Sequence, residues 1–189
     1  MTITTPSLKR WTVEEYHRLS ESGFLAAEER TELISGQIIA MASQGASHVT
    51  SVCLLGEQLR DQLGKAVVIR TQQPIYLDDS SEPEPDIALV RGSIKDYSQS
   101  HPQPPDIYLI VEVADTTLKQ DCEGKAQLYA QAGILDYWVV DVKNRQLHIF
   151  RSPTSAGYTS HLILQEPHQV SPLAFPDIVI TLGDILISA

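Results

Sequence analysis

Cysteine is scarce in this sequence: Cys53 and Cys122 are its two thiols in 189 residues. Two cysteines so far apart form neither a disulfide framework nor a zinc knuckle. Each falls in a helix-like pattern, where a buried free thiol is the ordinary expectation. Long apolar runs are also lacking. None approaches the roughly 20 residues a membrane helix needs, and the opening MTITTPSLKRW has no apolar segment of the kind a secretory signal requires. The expectation is a cytoplasmic protein with no membrane association. Positive charge is short as well, with 14 Lys and Arg against 24 Asp and Glu, a net charge of −10. That balance weighs against nucleic-acid binding through bulk electrostatics, because phosphate attracts Lys and Arg. It does not exclude a carboxylate cluster that takes up a divalent ion, which reverses the local sign.

What the chain does have is an ordinary globular composition, 42% hydrophobic and 20% charged, and a length that suits one domain over residues 1–189 with a sizeable core. Thr12-Val-Glu-Glu15 reads as a capping box opening a helix over about 13–20, and a second short helical stretch is expected around 26–31. Ser35-Gly36 between two apolar runs predicts a hairpin turn. Residues 46–63 carry apolar or small side chains at helical spacing, and Gly64 is placed to end that helix. Strands are expected at 66–69, 74–77, 86–90, 107–114, 136–141 and 146–150, with an edge strand over 158–164. A helix is expected over 118–132, closed by Gly133. The order predicts a mixed α/β or α+β sheet flanked by helices.

Three residues stand out of place. The stretch DIYLIVEVAD (106–115) reads as a strand buried on both faces, yet it contains Glu112. An ionised carboxylate moved into a protein interior costs several kcal/mol unless it is paired, hydrogen-bonded or bound to metal. Lys125 falls within the apolar stripe Leu118, Cys122, Lys125, Tyr129, Ala132 of the next helix, so the lysine and Glu112 are expected to point into one space. Asp86 opens a strand after Glu82-Pro-Glu-Pro. If that strand lies beside the one carrying Glu112, two carboxylates face each other, and a hard divalent cation resolves their repulsion. On that basis, removing Asp86 or Glu112 is expected to stabilise the metal-free fold.

Each residue also has a plain structural reading. Glu112 and Lys125 suit an ordinary ion pair, a lysine on an apolar stripe often reaches its head to solvent, and Pro-Asp is a common turn dipeptide. The histidines at 17, 101, 148, 161 and 168 are expected at the surface, and His48, at a helix start, is left open. The coincidence of Asp86, Glu112 and Lys125 is what points to a site.

Asp, then Glu in a hydrophobic strand, then Lys is the ligand order of the PD-(D/E)XK nuclease superfamily. Within it the chain resembles the Uma-type family of proposed bacterial restriction endonucleases over nearly its whole length. The resemblance rests on ERTELISGQI (29–38), GASHVTSVCLLGEQL (45–59), PEPDIALV (83–90) and the long block LIVEVADTTLKQDCEGKAQLYAQAGILDYWVVDVKNRQLHIFR (109–151). It implies a restriction-endonuclease-like core, a mixed β-sheet flanked by α-helices, and a metal-dependent endonuclease acting on DNA. It further implies Mg²⁺ or Mn²⁺ held by Asp86, Glu112 and the carbonyl of Val113, with Lys125 catalytic and Glu32 a further catalytic carboxylate. The lysine usually found two residues after the strand glutamate is Ala114 here, and Lys125 on the following helix takes its place. Cutting both strands with one site per chain favours a homodimer. The alternative is a catalytically degenerate module of the same fold that binds nucleic acid or protein. A hydrolase of smaller phosphate esters is a weaker third reading.

Overall fold

The computed structural model describes residues 8–25 and 30–186, and the chain gathers into two compact units, residues 1–42 with 76–83 and residues 43–75 with 84–189. In the first unit, α1 (Val13–Glu21) opens on the expected capping box. Thr12 Oγ1 accepts the Glu15 N–H at 3.2 Å and the Glu15 carboxylate accepts the Thr12 N–H at 3.0 Å, which satisfies two N–H groups the first turn leaves without helical partners. Strands β1 (Thr31–Ile34) and β2 (Gln37–Ala40) form the hairpin. Its turn residues Ser35 and Gly36 have φ of 48° and 73°, the left-handed backbone that matches the twist of paired strands. Of the helical stretch expected around 26–31, residues 26–29 lie outside the described residues, and Thr31 already belongs to β1.

The second unit is built on a six-stranded sheet in the order β3 (Val68–Thr71), β4 (Ile87–Val90), β5 (Ile107–Ala114), β6 (Asp136–Asp141), β7 (Gln146–Thr154), β8 (Gly157–Leu164). All neighbours are antiparallel except β5 and β6. That one parallel pair requires a crossover, which the helical segment after β5 provides. Strand alternation divides β5 cleanly. Leu109, Val111 and Val113 join the core that α2 (Ala46–Leu63) covers with Val52, Leu55, Leu59 and Leu63, while Ile110, Glu112 and Ala114 fall on the other face.

Several expectations need correcting. The strand expected at 74–77 does not form, because residues 74–77 run outside every ladder; Pro74 has no N–H to give to one. The strand expected at 66–69 is shifted to Val68–Thr71. Cys53 is exposed and Cys122 half-buried. Cys53 lies one residue off the buried stripe 52, 55, 56, 59, 63 of α2, about 100° round the helix from Val52. His148 is buried, 8% exposed, where a surface position was expected. The helix over 118–131 is not uniform. Residues Gln120–Lys125 form a π-helical segment that runs into α3 (Ala126–Gln131). Among the described residues, no helix is long and apolar enough to cross a membrane.

Candidate active site

Glu112 and Asp86 are brought level by the pairing of β4 with β5. Ile87 faces Val111 in the antiparallel register, so Asp86, one residue earlier, lies beside Glu112, one residue later. Both are buried, 7% and 4% exposed. Asp86 stands just before β4, and its carboxylate turns back onto the strand end, where Oδ2 accepts the Val113 N–H at 2.8 Å. Its other oxygen, Oδ1, lies 3.0 Å from Gln72 Nε2 and 3.0 Å from His48 Nε2. Gln72 adopts φ of 52°, a left-handed conformation uncommon for a residue with a side chain. Its main-chain N–H also bonds to the Asp86 carbonyl at 3.1 Å.

Glu112 is compensated from the helical segment. Lys125 Nζ donates to its Oε1 at 3.0 Å, and Tyr129 Oη donates to the same oxygen at 2.8 Å. Lys125 is 6% exposed, so its head does not reach solvent. The π-helical turn ending at Lys125 precedes α3, and π-turns recur where a helix must re-aim side chains. Here Lys125 and Tyr129, four residues apart, both meet one strand glutamate. Tyr137 on β6 closes the floor. Its hydroxyl donates to the Asp121 carbonyl at 3.0 Å, and burial, with the charges of Glu112 and Asp121 nearby, holds its pKa well above the ordinary phenol value.

The electrostatics around Asp86 follow from its partners. Burial alone raises its pKa, but the hydrogen bond and charge of His48, with Gln72 and the Val113 N–H, outweigh burial and leave it lowered. For His48 burial acts downward, and the Asp86 carboxylate and the Val113 backbone prevail, so its pKa is raised. Glu112 has a cationic partner in Lys125, and Asp86 accepts hydrogen bonds from Gln72 and the Val113 N–H and lies 3.0 Å from His48 Nε2. These partners argue against the expectation that deleting either carboxylate stabilises the metal-free fold, since deletion leaves the Lys125 ammonium or the donors around Asp86 uncompensated.

Of the residues singled out in the sequence, Asp86, Glu112, Val113 and Lys125 come together in the second unit. Glu32 belongs to the first unit, where it is buried on β1. Sequence reasoning missed Tyr129, Gln72 and the role of His48. Tyr129 carried a signal, an aromatic hydroxyl four residues after Lys125 on a buried stripe, since a buried Tyr O–H finds a partner. His48 was left open on its position at a helix start, and Gln72 carried no signal, because only the tertiary fold brings them to Asp86.

Among the described residues, no three His, Cys, Asp or Glu side chains converge as a ready-made metal cage. The donor set nevertheless suits a hard divalent ion, which is typically held by one or two carboxylates with water and phosphate completing its shell. Two buried carboxylates lie level here, Glu112 against Lys125 and Asp86 against His48.

A mixed sheet flanked by helices is the restriction-endonuclease-like architecture, and a solved structure shares this fold. The chain superimposes on the crystal structure of "a putative nuclease belonging to DUF820" from Anabaena variabilis with a TM-score of 0.73 and 16% identity, covering 93% of this chain and 97% of that one. The chain belongs to the Uma2 family, described as "Putative restriction endonuclease", whose model matches residues 13–183. No curated protein matches the chain.

Proposed function

We propose that the chain is a metal-dependent endonuclease that hydrolyses DNA phosphodiester bonds at Asp86, Glu112 and Lys125. The single observation that carries this reading is the placement of Lys125 Nζ 3.0 Å from Glu112 Oε1, on the strand whose Val113 N–H holds Asp86. An acid, a second acid and a lysine thus converge although Ala114 occupies the usual lysine position. Asp86, Glu112 and the Val113 carbonyl would hold one Mg²⁺ or Mn²⁺. Bound there, the ion would polarise the phosphodiester and lower the pKa of the attacking water.

The chain's own residues do the rest. Asp86 is oriented by His48, Gln72 and the Val113 N–H, so little reorganisation is needed when substrate arrives. Lys125, fixed by Glu112, would orient water or offset charge developing on the phosphoryl oxygens. Tyr129 holds Glu112 in place. Glu32 is assigned no step. A homodimer would bring two such sites to the two strands of a duplex.

The second reading, a catalytically degenerate module, draws on Ala114 and on the net charge of −10. One experiment separates the two: supercoiled plasmid incubated with purified protein in EDTA, Mg²⁺ or Mn²⁺, beside the Glu112→Gln variant. Metal-dependent nicking or linearisation by the wild type alone is expected. Equal cleavage by the variant overturns the role of Glu112, and absence of cleavage on plasmids of varied sequence in either metal favours the module.

A further inference from the structure

We infer that His48 supplies a ring nitrogen to the divalent ion of this site, beside Asp86 Oδ1 and the Val113 carbonyl. The inference rests on the nuclease reading above and adds a ligand from α2 that the order Asp, Glu, Lys does not contain. His48 already touches a group assigned to the ion. Its Nε2 lies 3.0 Å from Asp86 Oδ1, and that carboxylate's other oxygen accepts the Val113 N–H at 2.8 Å. In an extended strand the N–H and C=O of one residue point to the same edge, so the Val113 carbonyl faces the side on which its N–H meets Asp86.

The spacing suits a shared ion. Two donors at adjacent corners of an octahedron with bonds of about 2.1 Å stand about 3 Å apart, so the ring can exchange its proton for a cation with Asp86 in place. The position of the histidine is built in. His48 is in the first turn of the 18-residue α2. The helix start is set against the end of β5, since a Cβ on its N-cap Gly45 would approach Asp115 Oδ2 to 3.0 Å. The His48 side chain is 12% exposed, which separates it from a solvated surface histidine. With Asp86, Glu112 and the Val113 carbonyl already assigned to the ion, His48 would be its fourth protein donor. A nitrogen ligand favours Mn²⁺ or Co²⁺ over Mg²⁺, which prefers oxygen.

The test is pulsed electron paramagnetic resonance on the full chain loaded with Mn²⁺, comparing wild type with His48→Ala and His48→Gln, each checked for folding by thermal melting. Echo modulation from ¹⁴N is expected in the wild type and its loss in both variants, with Mn²⁺ affinity reduced about tenfold or more and Mg²⁺ affinity reduced less. If a variant does not fold, ¹⁵N labelling of histidine in the wild type must alter the modulation. Stoichiometric Mn²⁺ without nitrogen modulation overturns the inference and leaves the nuclease reading standing, with His48 orienting Asp86 from outside the ion's shell. Failure of the wild type to bind Mn²⁺ at all overturns both.

Discussion

Lys125 and Tyr129 donate to the same oxygen of Glu112, at 3.0 Å and 2.8 Å. The carboxylate that looked anomalous in a buried strand is thus held from a single helical face. The pair is an ion pair whose side chains are 7% and 6% exposed, a setting in which breaking one partner is far more costly than replacing both. Lys125→Met should therefore destabilise the fold by about 3 kcal/mol. Adding Glu112→Gln should recover most of that loss, because it removes the stranded charge. Urea unfolding of the two single variants and the double variant measures the coupling; purely additive losses would show that the pair is not coupled.

Tyr129→Phe deletes one hydrogen bond to Glu112 and keeps the ring, which packs against Tyr137 with centroids 4.9 Å apart. A loss of about 1 kcal/mol or somewhat more is expected, since the acceptor is charged. If Tyr129 positions Glu112, Mn²⁺ affinity should fall along with stability. A variant that loses stability and binds Mn²⁺ normally would restrict Tyr129 to packing.

His148 and His161 lie side by side on β7 and β8, with Nδ1 of the first 3.1 Å from Nε2 of the second. Burial lowers the pKa of both below the ordinary value of 6.5; for His148 the neighbouring His161 lowers it further and Asp141 opposes. The unfolded chain consequently binds more protons than the folded one just below that value. Stability from this pair should be complete above about pH 6.5 and should fall as the pH drops through the lowered values. His48 acts with the opposite sign, so the comparison must be made within the pair. Urea midpoints between pH 7.5 and 5 should decline less steeply in His148→Gln than in the wild type. An identical slope would refute the linkage.

The two thiols should differ sharply in reactivity. Cys53 is exposed, whereas burial, with Asp121, Asp141 and Glu123 nearby, pushes the Cys122 thiol up to about 12. At pH 8 only about one in ten thousand Cys122 side chains is then a thiolate, the reactive form. Iodoacetamide on the native protein should label Cys53 quickly and leave Cys122 unmodified until unfolding, as peptide mass spectrometry would read. Comparable rates would contradict the burial of Cys122.

Much of this protein was legible in the sequence because the relevant signals are local. The capping box at Thr12 and Glu15, the left-handed pair Ser35-Gly36 and the apolar spacing of 46–63 each act within a few residues, and α1, the hairpin and α2 formed where those signals stand. Glu112 and Lys125 were legible for a related reason. A charge inside an apolar pattern is costly, and two such charges on consecutive elements can compensate each other without knowledge of distant contacts. The strand expected over 74–77 failed because β-propensity describes a side-chain surface, while ladder membership depends on N–H groups and on which neighbour arrives.

The sequence by itself determined most of the elements, the main apolar faces and the presence of charges requiring compensation, because periodicity and burial costs are written residue by residue. Only the tertiary structure decided who compensates whom. The register of Ile87 against Val111 set Asp86 level with Glu112. The π-helical turn brought Lys125 and Tyr129 to one oxygen, and the start of α2 delivered His48 to Asp86 across 38 residues of chain. Such contacts depend on strand pairing and helix docking, which no short window of sequence encodes.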